Sequence, residues 1–164
     1  MTNEMLSATI SIKAPTETVF ALLADPATHA AIDGTGWVRD PLERQSLTAT
    51  GQVFRMAMYH PDHPNRDYEM ANLVELFDPP HAISWKPGYD PGDGALRFGG
   101  WIWRYDLASL APSETEVRLS YDWSAVSEDV RRTGPSFPPF APDHLQNSLN
   151  NLAELVHLRL TDAS

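Results

Sequence analysis

Polar side chains set within apolar alternation are where this chain could do chemistry. From Tyr68 to Leu76 every second residue reads Tyr68, Met70, Asn72, Val74 and Leu76, which sets an amide on a row otherwise suited to an interior. A buried amide left without a partner costs roughly 1–3 kcal/mol. Asn72 therefore either bonds a neighbouring backbone or tyrosine group, or orients a carbonyl or hydroxyl of a ligand. The same alternation puts Tyr105 on the row of Trp103, and Tyr121 on the row of Trp123. A phenol titrates near ~10, so it can donate a proton or hydrogen bond but is a poor base at neutral pH. Tyr105, Tyr121 and Asn72 are thus the candidate catalytic groups, and no inward His, Asp or Glu is expected beside them.

The inward rows together hold Phe54, Met56, Met58, Tyr68, Met70, Asn72, Trp85, Trp103, Tyr105, Tyr121 and Trp123. Large rings and methionines on one sheet face can fill a core. They can equally wall a pocket, where methionine adapts to varied ligands and a few polar groups fix orientation. The pocket is the favoured reading, with Trp37 at its edge and Leu145, Leu149 and Leu152 as its helical wall. Phe137 and Phe140 can close its mouth, opposite Tyr89 and Phe98, or anchor their own loop to the core.

Other groupings carry less. Arg104, Asp106, Arg118 and Asp122 fall on the opposite, solvated face, where cross-strand ion pairs account for them. A bulge would turn Arg104 and Asp106 inward. His60, Asp62 and His63 are set around two prolines in a hairpin turn, which fixes no ligand geometry, and no metal is expected there. His29, His81, His144 and His157 are scattered and receive no role. There is no glycine-rich phosphate loop, nucleophile elbow or paired-histidine zinc motif, and no cofactor is expected.

These residues need elements to hold them. Leu6 to Lys13 alternates as a strand, Pro15 starts a helix burying Val19, Phe20 and Leu23, and a short helical piece covers Ala27 to Ile32. Some six strands follow between residues 37 and 124, the first near Trp37 to Leu42 or Ser46 to Ala49. Gly88 to Gly100 and residues 127 to 142 read as irregular connections, rich in glycine and proline respectively. In the last stretch Leu145, Leu149, Leu152 and Val156 recur at i, i+4, i+7 and i+11, with Leu155 and Leu160 widening the stripe. Asn147, Asn150, Asn151, Glu154 and Arg159 take the wet side. Hairpins at short spacing argue an antiparallel sheet, and a sheet with one apolar face needs this long helix as its cover.

At 164 residues the chain fits one domain, residues 1–164, with room for a proper core. A net charge of -10 argues against nucleic acid and anionic membranes. The absence of cysteine removes disulfides and thiolate chemistry. The opening MTNEMLSATISIK lacks a basic start followed by an apolar core, and no apolar run reaches the ~20 residues of a membrane span. A cytoplasmic protein without a membrane span is expected.

Three stretches, ISIKAPTETVFALLAD, VELFDPPHAISW and SLNNL, fall in an order that resembles the START-like (SRPBCC) superfamily, within it the polyketide cyclase/dehydrase and lipid-transport group. The likeness spans nearly the whole chain. It implies an α+β helix-grip fold: a curved antiparallel sheet of six to seven strands around a long C-terminal helix, with two short helices after the first strand. It also implies a cavity for small apolar or aromatic molecules beneath that helix. The superfamily contains both carriers and cyclases, and a fold alone does not choose between them. Binding of a lipid- or polyketide-like ligand is the first reading. The alternative is a cyclase or aromatase acting on a ligand in the same cavity, and an inward ionisable group would favour it.

Overall fold

A computed structural model describes residues 4–134 and 136–162. The architecture is α+β, a helix-grip fold in which one curved sheet wraps the C-terminal helix. Strand β1 (Met5–Ile12) leads into α1 (Thr16–Leu23), a single 3-10 turn (Pro26–Thr28) and α2 (His29–Asp33). Strands β2 (Val38–Pro41), β3 (Val53–Tyr59), β4 (Asp67–Asp78), β5 (Ala82–Tyr89), β6 (Arg97–Phe98), β7 (Ile102–Ala111) and β8 (Glu114–Asp122) follow. Helix α3 (Glu128–Thr133) and helix α4 (His144–Asp162) complete the chain. All pairings are antiparallel, in the order β1-β8-β7-β5-β4-β3-β2, with β6 paired to β5 outside that path.

Strands β1 and β8 show the period-2 alternation over most of their length. In β8, Val117, Leu119 and Tyr121 are buried while Glu116 and Arg118 are exposed. The covering helix α4 has 19 residues, about 28 Å of length, enough to cross the sheet. Leu145, Leu149, Leu152 and Val156 bury fully against the sheet and α1, whereas Leu160 is exposed and adds nothing to the stripe. No helix among the described residues is long and apolar enough to cross a membrane.

Four details depart from the sequence reading. The sheet has eight strands, because Arg97–Phe98 forms a short strand inside the glycine-rich connection. Of the two places expected for the first strand of this stretch, Trp37 to Leu42 holds β2 and Ser46 to Ala49 forms no strand; Leu47 is buried and donates its amide to the Ala24 carbonyl at 2.7 Å. The connection from 127 to 142 contains helix α3, capped by Ser127, whose Oγ accepts the Val130 amide at 3.2 Å; Pro135 of that connection lies outside the described residues. Finally, a bulge between Val74 and Leu76 reverses the end of β4. Past it Phe77, not Leu76, faces inward, edge-on to Phe20 at 5.4 Å between ring centres.

Candidate functional site

Cross-strand register assembles the inward rows. Phe54 stands opposite Asn72, Met56 opposite Met70, and Met58 opposite Tyr68. Asn72 in turn pairs Pro87, Val74 pairs Trp85, Trp85 pairs Trp103, and Trp103 pairs Tyr121. All of these side chains except that of Val74, which is buried in the core, bound an open recess of about 1170 Å³ between sheet and helices. Trp37, Phe137 and Phe140 also line it. Its open end is bordered by the β3–β4 turn (60–65), by Tyr89 and Asp90, and by the connection between α3 and α4. Phe98, expected at the mouth, lies outside the lining, its ring beneath the Lys86 ammonium at 4.3 Å.

Four residues grouped with this wall on sequence lie elsewhere. Leu145, Leu149, Leu152 and Trp123 are buried in the core and take no part in the lining. The leucine stripe belongs to the buried core cluster, on a helix whose main neighbours are β1 and α2. Trp123 lies just beyond β8, and its ring packs on Tyr121 at 5.8 Å.

Asn72 is buried, and its Nδ2 donates to the Phe54 carbonyl on the adjacent strand at 3.3 Å. The backbone therefore supplies one partner for the amide. Tyr105 and Tyr121 are buried phenols. Burial raises the pKa of both well above the ordinary value, and for Tyr105 the nearby Asp33 carboxylate adds to the effect. Tyr68 shifts the same way for the same two reasons. All three are hydrogen-bond donors at neutral pH and not bases.

The expectation of no inward ionisable group is overturned. His29, Asp33 and His144 all line the recess. His144 Nε2 lies 3.8 Å from Asp33 Oδ1, with side-chain exposures of only 8% and 11%. Asp33 closes α2, and its Oδ2 accepts the amides of Thr35 at 3.1 Å and Val38 at 3.4 Å, as well as the Thr35 hydroxyl. His144 opens α4 between the rings of Phe140 at 4.7 Å and Trp103 at 6.0 Å. Burial lowers its pKa below the ordinary imidazole value, against the opposing pull of Asp33 and Asp143. His29 is likewise lowered by burial, opposed by its bond to the Leu23 carbonyl and by Asp25. Its Nε2 lies 2.9 Å from that carbonyl, so the neutral ring carries its proton there and leaves Nδ1 unprotonated.

Two side chains one and two turns along α4 lock this corner. Ser148 Oγ donates to the Asp33 carbonyl and Asn151 Nδ2 to the Ile32 carbonyl, both at 3.2 Å. They satisfy carbonyls that the end of α2 would leave orphaned. Asn151 therefore bonds α2, where the sequence reading had placed it toward water. Gly34 follows with φ +78, and a Cβ there would stand 2.7 Å from Asn151 Nδ2, so close approach and backbone both require glycine. A sequence signal existed: His144, Ser148 and Asn151 recur at i, i+4 and i+7, a polar stripe beside the apolar one. His29, Ile32 and Asp33 share a face of α2 in the same way.

The remaining candidates are ordinary surface chemistry. Arg104 forks onto Asp106 at 2.9–3.0 Å on the outer face, within one strand. His60 Nδ1 and His63 Nδ1 accept the amides of Asp62 and Asn65, while their rings lie against Trp37 and Tyr68. Among the described residues no group of three or more His, Cys, Asp or Glu could hold a metal ion.

No protein-family model matches the chain. It is 27% identical over 121 residues to the uncharacterised protein Rv0088 of Mycobacterium tuberculosis, covering 74% of this chain and 48% of that protein. The chain spans about half the length of the curated relatives it matches. Among solved structures it resembles protein Ms6760 of Mycobacterium smegmatis, with TM-score 0.66 and 15% identity over 95% of this chain and 92% of that one. A norcoclaurine synthase point mutant from Thalictrum flavum, in complex with a transition-state analogue, matches with TM-score 0.63 and 14% identity, covering 98% and 96%. Likenesses at this identity show the shared fold.

Proposed function

We propose that the chain is a single START-like domain that holds an apolar or aromatic small molecule, lipid- or polyketide-like, in the recess between sheet and helices. The observation that carries this reading is a space of about 1170 Å³ walled by rings and methionines, with Asn72, Tyr68, Tyr105 and Tyr121 as scattered polar groups. Ligand sites combine apolar walls with a few placed donors in this way, and the volume exceeds what a small aromatic molecule fills. Carriage or sensing requires nothing more of the site. Native mass spectrometry of the purified protein, beside a denatured control and with extraction of anything released, tests it. A bound molecule of a few hundred daltons supports the reading. An apo mass together with failure to take up any apolar dye removes it.

The buried His144 favours a second reading, catalysis of the cyclase or aromatase kind. Its neutral ring could accept a proton from carbon next to a ligand carbonyl, while the Tyr105 or Tyr121 hydroxyl donates a hydrogen bond to the enolate oxygen that forms. Solvent deuterium entering a bound aromatic ketone at that carbon, and lost in His144→Gln, is the expected signature. Exchange no faster than in buffer leaves binding alone.

A further inference from the structure

The recess has a charge pattern that restricts what can enter it. Among the described residues no Lys or Arg lines it, whereas Asp33, Asp62, Glu69 and Asp90 do. The last three are exposed; Asp90 is paired with Arg55 at 3.3 Å, and Asp62 lies 4.0 Å from His60. Asp33 is the inner one. Its Oδ2 is taken up by Thr35 and Val38, while Oδ1, which accepts no hydrogen bond among the described residues, lies 3.8 Å from His144 Nε2, and the carboxylate also acts on the Tyr68 and Tyr105 phenols. Burial keeps that imidazole largely neutral, so it does not cancel the carboxylate. Around this corner stand the rings of Trp37, Trp85, Trp103, Tyr68 and Tyr105, whose faces attract cations.

A carboxylate-bearing ligand would enter a negatively lined, weakly screened space with no cation to meet it. A neutral ligand would displace water from Asp33 Oδ1, which is not a buried unsatisfied atom, and bring no charge to replace it. A protonated amine on an aromatic body would satisfy Oδ1 by a charge-assisted hydrogen bond and place its charge among ring faces. We infer that the recess selects organic cations, aromatic or apolar molecules carrying a protonated amine, with Asp33 as the anchoring carboxylate. This rests on the reading of the recess as a ligand site and narrows the chemistry of that ligand.

Three probes that share one ring system and differ in the charge of the tail test it by calorimetry on the full chain at neutral pH: naphthylethylamine, naphthylethanol and naphthylacetate. The amine should bind about tenfold or more tighter than the alcohol, and the acid weakest, as expected for a charge meeting a partly buried carboxylate. In Asp33→Asn the amine should lose its advantage over the alcohol. The order among the three on the native protein stands whether or not that variant folds. Equal affinities, or an acid that binds best, overturn cation selection and leave the recess as a ligand site. Failure of all three to bind overturns both.

Discussion

His144 Nε2 faces Asp33 Oδ1 at 3.8 Å across the joint between the first residue of α4 and the last of α2. The pair is almost wholly buried and belongs at once to the wall of the recess and to a smaller outer notch of about 380 Å³. Only a thin partition, completed by Trp37, Pro139 and Phe140, separates the two spaces. The joint that holds the long helix against the sheet is thus also the most polar corner of the recess.

Acid should destabilise the fold through its two buried histidines. Burial lowers the pKa of His29 and of His144 from the ordinary 6.5. The unfolded chain then takes up protons that the folded one refuses, so stability rises with pH through this window. Their contribution is complete above the unfolded value and is lost as pH falls through it toward the folded values. Thermal unfolding midpoints should be level between about pH 8 and 7 and decline toward about pH 5, with a shallower decline in His144→Gln. A flat profile would place both rings in contact with water.

The stitch from α4 to α2 should matter more than its exposed neighbours. Ser148 is buried and bonds the Asp33 carbonyl. Ser148→Ala leaves that carbonyl without its donor and should cost about 1–3 kcal/mol in urea unfolding. Asn150, exposed and bonded only to Gln146 one turn earlier, should change stability by less than about 0.5 kcal/mol when replaced by Ala.

Core and lining can be told apart by truncation. Leu149 is fully buried outside the recess, whereas Met58 is half-buried along it. Leu149→Ala should cost about 2–5 kcal/mol, because the vacated space cannot collapse. Met58→Ala only enlarges a space already present and should cost less than about 2 kcal/mol, while altering the uptake of naphthylethanol. Equal losses would mean that the helix stripe and the sheet row play the same part.

What the sequence disclosed follows from period. Two-residue alternation placed Phe54, Met56, Tyr105 and Tyr121 inward, and the 3.6-residue stripe of Leu145 to Val156 gave the covering helix. Both patterns are properties of single elements. The site corner is a property of two elements meeting: Asp33 and His144 are 111 positions apart, and each looks unremarkable until α2 docks on α4. The stripe of leucines tells which way α4 faces the core but not where the core stops and the recess begins, which is why the pattern alone assigns Leu145, Leu149 and Leu152 to the lining. One miss was avoidable. SEDVRRTG offers a serine cap, acids in the first turn, arginines in the last and a closing glycine, the marks of α3. Arg131 of that helix donates to the Trp123 and Val126 carbonyls at 2.8 and 3.0 Å and reaches Glu4 at 3.1 Å, tying the connection to the end of β8.

The stretch after α3 is the element best placed to govern entry. Phe140 packs on Tyr121 at 4.9 Å and on Trp103 at 5.7 Å, while Phe137 packs on Trp101 at 5.9 Å. Both rings are half-buried and both border the recess, so they must part for a ligand to pass on this side. Their ring contacts, including that of Phe140 with His144 at 4.7 Å, are made without a strand ladder, and a loop so held can open without breaking a strand. Phe137→Ala combined with Phe140→Ala should raise the dissociation rate of naphthylethanol by about tenfold, read from tryptophan fluorescence in stopped flow, because contact changes act chiefly on release. Association should change far less. Exchange rates that match the native protein would assign both rings to anchoring the connection against the core, and would turn attention to the β3–β4 turn as the way in.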